Sequence, residues 1–350
     1  MTIDVDRQRV EAFLHRANTT PLVGFCVGTY YPLHRFRGAR TLPEGLYQPD
    51  DLQIGAYLAD YDRIYEQHAT CPGDLVWSAS AFWGVPWMEA AVGCPVEADH
   101  TTGSSRSHPI GANSWPTVPE YSPNNPWVAC CLEMVRRVAD YADGRFPVGV
   151  SLMRGVSDVL SALLGLDRMV YAMLDEPARI HELAERITAF WIAFGHAQLD
   201  AAPQYEGGYG SFLYNLWAPG RCIWLQEDAA ALLSPSLFEE FVLPYDRRIA
   251  EAFDYCFFHM HPARYIPHQP LLDSDLAVLE LHIDAGGPSA RDLLPVYREI
   301  LAHKPLLVWG DISEDDLDVF LNELGPQGLA LQIAVETPEQ AEALYARRMV

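Results

Sequence analysis

From Asp74 onward the chain alternates short apolar runs with amphipathic helical stretches, and this alternation decides the fold class. The apolar runs cover residues 75–78, 147–153, 222–225, 255–261, 276–283, 306–309 and 329–335. Helical patterns between and after them cover 126–142, 157–164, 176–199, 235–253, 290–303, 313–324 and 338–347. Strands separated by helices pair in parallel, because the intervening helix carries the chain back to the same edge. Seven or eight such units without a glycine-rich dinucleotide fingerprint predict an α/β protein, a (β/α)8 TIM barrel with an N-terminal helical extension. Residues 1–70 are expected to form that helical cap, within the same domain as a barrel over 71–350. Helices are predicted at 4–18 and at 49–67, the second opened by Asp50 and Asp51 at its positive end. Between them an apolar run, 22–28, leads into a loop bearing Tyr30, Tyr31, His34, Arg35, Phe36, Arg37 and Arg40, placed to reach a site.

Two of the apolar runs end in groups that carry chemistry. The first contains His259 and His261, the second Glu280 and His282. Alternate residues of a strand share a face, so each pair points one way. Adjacent strands built like this direct three imidazoles and a carboxylate toward one region. The set suits either a metal site or a general acid/base cluster. A lone His-x-His is more often structural than ligating, and the second pair is what raises the ligand reading.

Composition narrows the partners. The net charge is −23 and Lys304 is the sole lysine, so arginine carries nearly all the positive charge. Such a chain repels phosphate backbones, and nucleic acid is excluded as a partner. Schiff-base chemistry would rest on Lys304 alone, at a helix-to-strand turn. The seven cysteines are odd in number, scattered and free of C-x-x-C spacing, which predicts reduced thiols in a cytoplasmic protein. No run reaches the length of a membrane span, and the N-terminus lacks a signal-peptide pattern. The stretch 100–126 is long and rich in Ser, Pro, Asn and Gly; Arg106, His108, Asn113 and Trp115 would suit a lid, although a plain surface loop is the commoner outcome.

Several blocks together carry a family resemblance. They are residues 82–90 (FWGVPWMEA) with Gly93-Cys94-Pro95, Leu164-Gly165 with Asp175-Glu176-Pro177, and 233–235 running on through Phe241-Val242-Leu243-Pro244-Tyr245. The order that follows is a strand ending in a His-rich motif, an acidic strand end, Gly310-Asp311, and a last strand before Thr337-Pro338. From about residue 20 to the end this resembles the uroporphyrinogen decarboxylase superfamily. The resemblance implies a barrel with its site at the C-terminal strand ends, a frequent homodimer, and one of two chemistries. One branch holds metal-free porphyrinogen decarboxylases; the other holds zinc methyltransferases working between corrinoid proteins and thiols.

The methyltransferase branch has a zinc motif His-x-Cys, a further Cys on the last strand and, in related methionine synthases, a Glu. His259 matches the His, His261 stands where the Cys would be, and Glu280 offers a match for the Glu. The last strand, 329–336, contains no Cys. A histidine-rich set is harder than a thiolate set and suits an oxygen donor better than a thiol. The decarboxylase branch is matched no better. Arg35, Arg37 and Arg40 echo its arginine loop, but Ser78-Ala79-Ser80 replaces its Asp and 332–336 contains no His.

Arg154 follows an apolar run, at the strand end where barrel enzymes keep catalytic groups, and either clamps a substrate anion or makes an internal ion pair. Asp228 lies in the same kind of position and either binds a metal, polarises a hydroxyl or caps a turn. Trp83, Tyr214 and Trp217 belong to a set of aromatics suited to a flat apolar pocket. The sequence thus predicts a metal-dependent enzyme with His259, His261 and Glu280 as ligands to a divalent metal, zinc first. His282, Arg154 and Asp228 are its catalytic residues, and Arg154, Arg37, Trp83, Tyr214 and Trp217 contact the small-molecule substrate. The reaction expected is methyl transfer involving a corrinoid, free or on a corrinoid protein, or a small methylated metabolite. The alternatives are a metal-free decarboxylase of a tetrapyrrole or other carboxylated molecule, and a non-catalytic binding barrel.

Overall fold

The computed structural model describes residues 5–110 and 114–347. Five of the predicted apolar runs form strands of one parallel sheet, and the run at 22–28 forms a sixth. In chain order these are β1 (Leu22–Val27), β2 (Cys222–Gln226), β3 (Tyr255–Met260), β4 (Val278–Ile283), β5 (Leu306–Gly310) and β6 (Leu329–Val335). Their order in the sheet is β1-β6-β5-β4-β3-β2. β1 lies in the stretch assigned to the helical cap, yet pairs with β6 over its whole length, Leu22 opposite Ala330 and Val27 opposite Val335. Its six residues are all buried, which is why the run is uniformly apolar.

The runs at 75–78 and 147–153 make no continuous ladder. They join through isolated parallel bridges, Ala79 with Val148 and Arg154 with Gln226. Two of their amides go to side chains: Asn215 Oδ1 accepts from Ser78 N at 3.3 Å, and Gln198 Oε1 accepts from Ser151 N at 2.9 Å. Pro147 has no amide to give. On the far side Asp74 N donates to the Val23 carbonyl at 2.7 Å, tying this arc to β1.

The helices follow from their ends. Asn125 caps Pro126–Ala142 through Trp127 N and Val128 N, and Ser289 with Asp292 forms a capping box on Ala290–His303. The single helix expected at 235–253 is two, Pro235–Phe241 and Leu243–Glu251, because Pro244 cannot continue the bonding across Val242. The one predicted at 49–67 starts as a 3-10 turn, Pro49–Asp51, before Ile54–Ala69. A small antiparallel sheet of Gly45–Tyr47, Val96–Asp99 and Ser104–Ser107 covers one side of the mouth. A hairpin of Tyr209–Ser211 with Leu216–Ala218 carries the tip Phe212 to Asn215 toward the sheet interior. Among the described residues no helix is long and apolar enough to cross a membrane, and the seven cysteines are unpaired.

The hairpin packs so closely on the 147–153 arc that a Cβ on Gly149 would lie 2.0 Å from the Gly210 carbonyl oxygen. Gly149→Ala is therefore expected to destabilise the protein by about 1–3 kcal/mol. A urea midpoint unchanged from wild type would refute this packing.

Candidate metal centre

Register brings the site together. His259 of β3 lies opposite Glu280 of β4, and His282 of β4 opposite Trp309 of β5. On the other flank Gln226 of β2 pairs with His259. The side chains converge at the C-terminal ends of these strands around a cavity of about 400 Å³. This size suits a small organic ligand. Tyr30, Tyr31, Trp83, Phe212, Trp224 and Trp309 form its apolar walls; Arg154, Gln226, Asp228, His259, His261, His282 and Asp284 supply its polar groups.

Each of two imidazoles is fixed by a carboxylate at Nδ1. Glu280 takes His259 Nδ1 in a short contact, and Asp284 takes His261 Nδ1 at 3.0 Å. Both Nε2 atoms then face one another, 3.0 Å apart. Asp228 Oδ1 stands 3.9 Å from His259 Nε2 and 3.8 Å from His261 Nε2. The ligand atoms of Asp228, His259 and His261 all lie within 4.8 Å of one another, a group able to hold a metal ion. If both imidazoles are neutral and donate Nδ1–H, two lone pairs oppose each other. A shared proton or a metal cation removes that repulsion, and carboxylates behind ligating histidines are the usual supporting arrangement.

Glu280 lies behind His259, with no exposed surface. Its Oε2 also accepts from the Tyr214 hydroxyl at 3.3 Å. Burial resists charge on His259, but the Glu280 carboxylate overcomes it and raises the imidazole above its ordinary value. Glu280 is likewise opposed by burial and drawn below its ordinary value by His259. Burial and the Glu280 charge hold Tyr214 far above the usual tyrosine range, so it stays a donor. His282 packs against the Trp309 ring, centroids 4.4 Å apart. Its Nδ1 and Glu280 Oε1 are both buried without partners, 3.8 Å from each other.

Asp228 is oriented by Gln226, whose Nε2 donates to Oδ2 at 2.6 Å, while Asp158 accepts from Asp228 N at 3.2 Å and Ala229 N at 2.7 Å. Arg154 faces the cavity one-third exposed, with Nη1 on Glu89 Oε1 at 3.0 Å. The internal ion pair read from sequence is present, and the guanidinium also lines the cavity.

Other predicted residues sit elsewhere. Arg37 is exposed in the turn Arg37–Thr41 and does not line the cavity. Trp217 is buried, donating to the Tyr205 carbonyl at 2.9 Å. Tyr214 acts on Glu280 rather than lining the cavity, whereas Trp83 does line it. Of the 100–126 stretch, Ser104 and Ser105 reach the cavity. Arg106 pairs with Glu97 at 3.3 Å, and Trp115 lies under Arg168 and Arg179. Asn113 falls outside the described residues. Sequence reading missed Asp284, Gln226 and Glu89. For Asp284 a signal existed, because it continues the alternation of Glu280 and His282 one step further.

Among solved structures, a methyltransferase from Methanosarcina mazei superposes with a TM-score of 0.65 over 98% of each chain, at 14% sequence identity. This likeness establishes a shared α/β fold. No protein-family model matches the chain, and no curated protein matches it.

The His259–Glu280 pair fixes a pH dependence for metal-free protein. The raised imidazole contributes stability that is fully present below its ordinary 6.5 and lost as pH rises through its folded value. The depressed carboxyl contributes stability present above its ordinary 4.5 and lost as pH falls through its folded value. Glu280→Gln should flatten both limbs in denaturation measured across pH after chelation. A variant profile parallel to wild type would remove the pair from the account.

Proposed function

We propose that the chain is a metal-dependent methyltransferase of the uroporphyrinogen decarboxylase type, acting on a small methylated metabolite or a corrinoid. The observation that carries the reading is the meeting of His259 Nε2, His261 Nε2 and Asp228 Oδ1, with both imidazoles fixed from behind. The solved methyltransferase of like fold supports it. The ligand set proposed is Asp228, His259 and His261, with Glu280 and Asp284 orienting the histidines. It replaces the set read from sequence, in which Glu280 was itself a ligand. We also propose that the sheet closes into an eight-stranded barrel, for which the bridges at Ala79 and Arg154 and the Asp74–Val23 bond are the support.

A divalent metal held by two imidazoles and a carboxylate supplies Lewis acidity toward an oxygen donor. The protein's own groups do the rest. Glu280 and Asp284 hold the imidazole tautomers that offer Nε2. Arg154 binds an anionic part of the substrate, while Glu89 keeps the guanidinium in place. The aromatic walls exclude water from the reacting methyl group, and His282 is placed to give or take a proton at the cavity edge.

A second reading has its own support. A proton shared between His259 and His261 would also relieve the 3.0 Å contact, and His259 is the more basic for its carboxylate. The site would then be a proton donor in a metal-free decarboxylase.

Elemental analysis separates the two. Purified protein should contain about one divalent metal per chain, absent from His259→Ala/His261→Ala protein of unchanged circular dichroism. Gln226→Leu should weaken metal affinity by about 10- to 100-fold, as loss of a supporting contact does. Metal-free wild-type protein that cannot be loaded with zinc, iron or manganese would leave the decarboxylase reading in possession.

A further inference from the structure

Arg35 carries a buried charge that no carboxylate offsets. It ends the short helix Pro32–Arg35 and is 7% exposed. Its Nη1 donates to the Thr29 carbonyl at 2.7 Å, and Nε is buried without a partner. Among the described residues it makes no ion pair with a carboxylate, and the Arg63 guanidinium opposes its charge. Arg63 is already matched by Asp60 at 3.1 Å. The nearby imidazole of His68 gives no relief and adds no charge, because burial and Arg35 push it down to about 3. In a chain with 47 acidic and 24 basic residues, acids are plentiful, and burying a guanidinium away from all of them is costly.

Beside Arg35 lies a void of about 20 Å³, bounded by Cys26, Trp77, Ser78 and Asn215. Tyr30, Trp83, Phe212 and Leu213 separate it from the main cavity, since they line both. A space of this size takes one centre about as large as a water molecule and excludes sulfate or phosphate. Backbone around the void is left-handed at two non-glycine residues, Leu213 of the dividing wall at φ 70° and Asn215 at φ 54°. Such conformations persist where surrounding contacts impose them. Here Gln332 Nε2 holds the Leu213 carbonyl at 2.5 Å, and Asn215 Oδ1 accepts from Ser78 N at 3.3 Å.

We propose that Arg35 and this void form a subsite for a small monovalent anion, behind the main cavity and separate from the metal centre. The anion presents one small, singly charged centre to the guanidinium. It comes from solution as a halide, the class of anion that matches one water-sized centre. Tyr30, Trp83, Phe212 and Leu213 are the contacts shared by the two spaces.

Bromide provides the direct probe. Crystals of the full chain grown without halide and soaked in sodium bromide should show an anomalous peak in the void beside Arg35. Sodium sulfate should leave it with water alone. In solution, bromide at matched ionic strength should raise Tm saturably in wild type and in Arg37→Met, and not in Arg35→Met. Acetate, too large for the void, should leave the bromide peak in place, and a bromide peak lost to acetate would overturn the size match. Water alone at Arg35 in bromide-soaked wild-type crystals would overturn the subsite, as would an equal Tm rise in Arg35→Met. If Arg35→Met does not fold, the wild-type diffraction decides the matter. None of these readouts involves a metal, so the subsite and the methyltransferase reading can fail separately.

Discussion

The centre depends on a carboxylate placed where water cannot reach it. Glu280 sits at the middle of a parallel register, opposite His259 on one neighbouring strand and two residues from His282 on its own. Full burial would make a lone carboxylate very costly, so the position requires a positive or donating partner. His259 Nδ1 and the Tyr214 hydroxyl meet the requirement on one oxygen. Once His259 is fixed in this way, its Nε2 has a single direction available. Asp284 does the same for His261, and the two rings present one converging face rather than two independent ones.

How much of this was legible in the sequence depends on the length and regularity of each element. Apolar runs of four to eight residues between long amphipathic stretches read correctly as strands. The 75–78 and 147–153 runs carry the same apolar signal, yet two of their amides bond to Asn215 and Gln198, which lie far along the chain and leave no local trace. The Tyr209–Ser211 hairpin is too short for periodicity to register, although its tip lines both cavities.

At the site, alternation shows which face a side chain uses and says nothing of depth. His259 and Glu280 do share a region, as their spacing implies, but one lies in front of the other. That difference comes from strand pairing, where residue against residue fixes who stands behind whom. In the Tyr30 to Arg40 loop no periodicity exists to choose among arginines. Arg37 is solvated and Arg35 buried because a four-residue helix turns one inward, a matter of local geometry rather than of residue type.

The two arcs lacking ladders give the structure an uneven compliance. Along β1 to β6 every strand is clamped by repeated backbone bonds, and opening any part breaks several together. At Ala79 and Arg154 the ladder shrinks to isolated bridges, and Ser78 and Ser151 hang their amides on the side chains of Asn215 and Gln198. The histidines are thus mounted on or beside fully laddered strands and Arg154 on an arc joined by single bridges. Opening that arc breaks fewer backbone bonds than opening the ladder opposite, where the imidazoles are held.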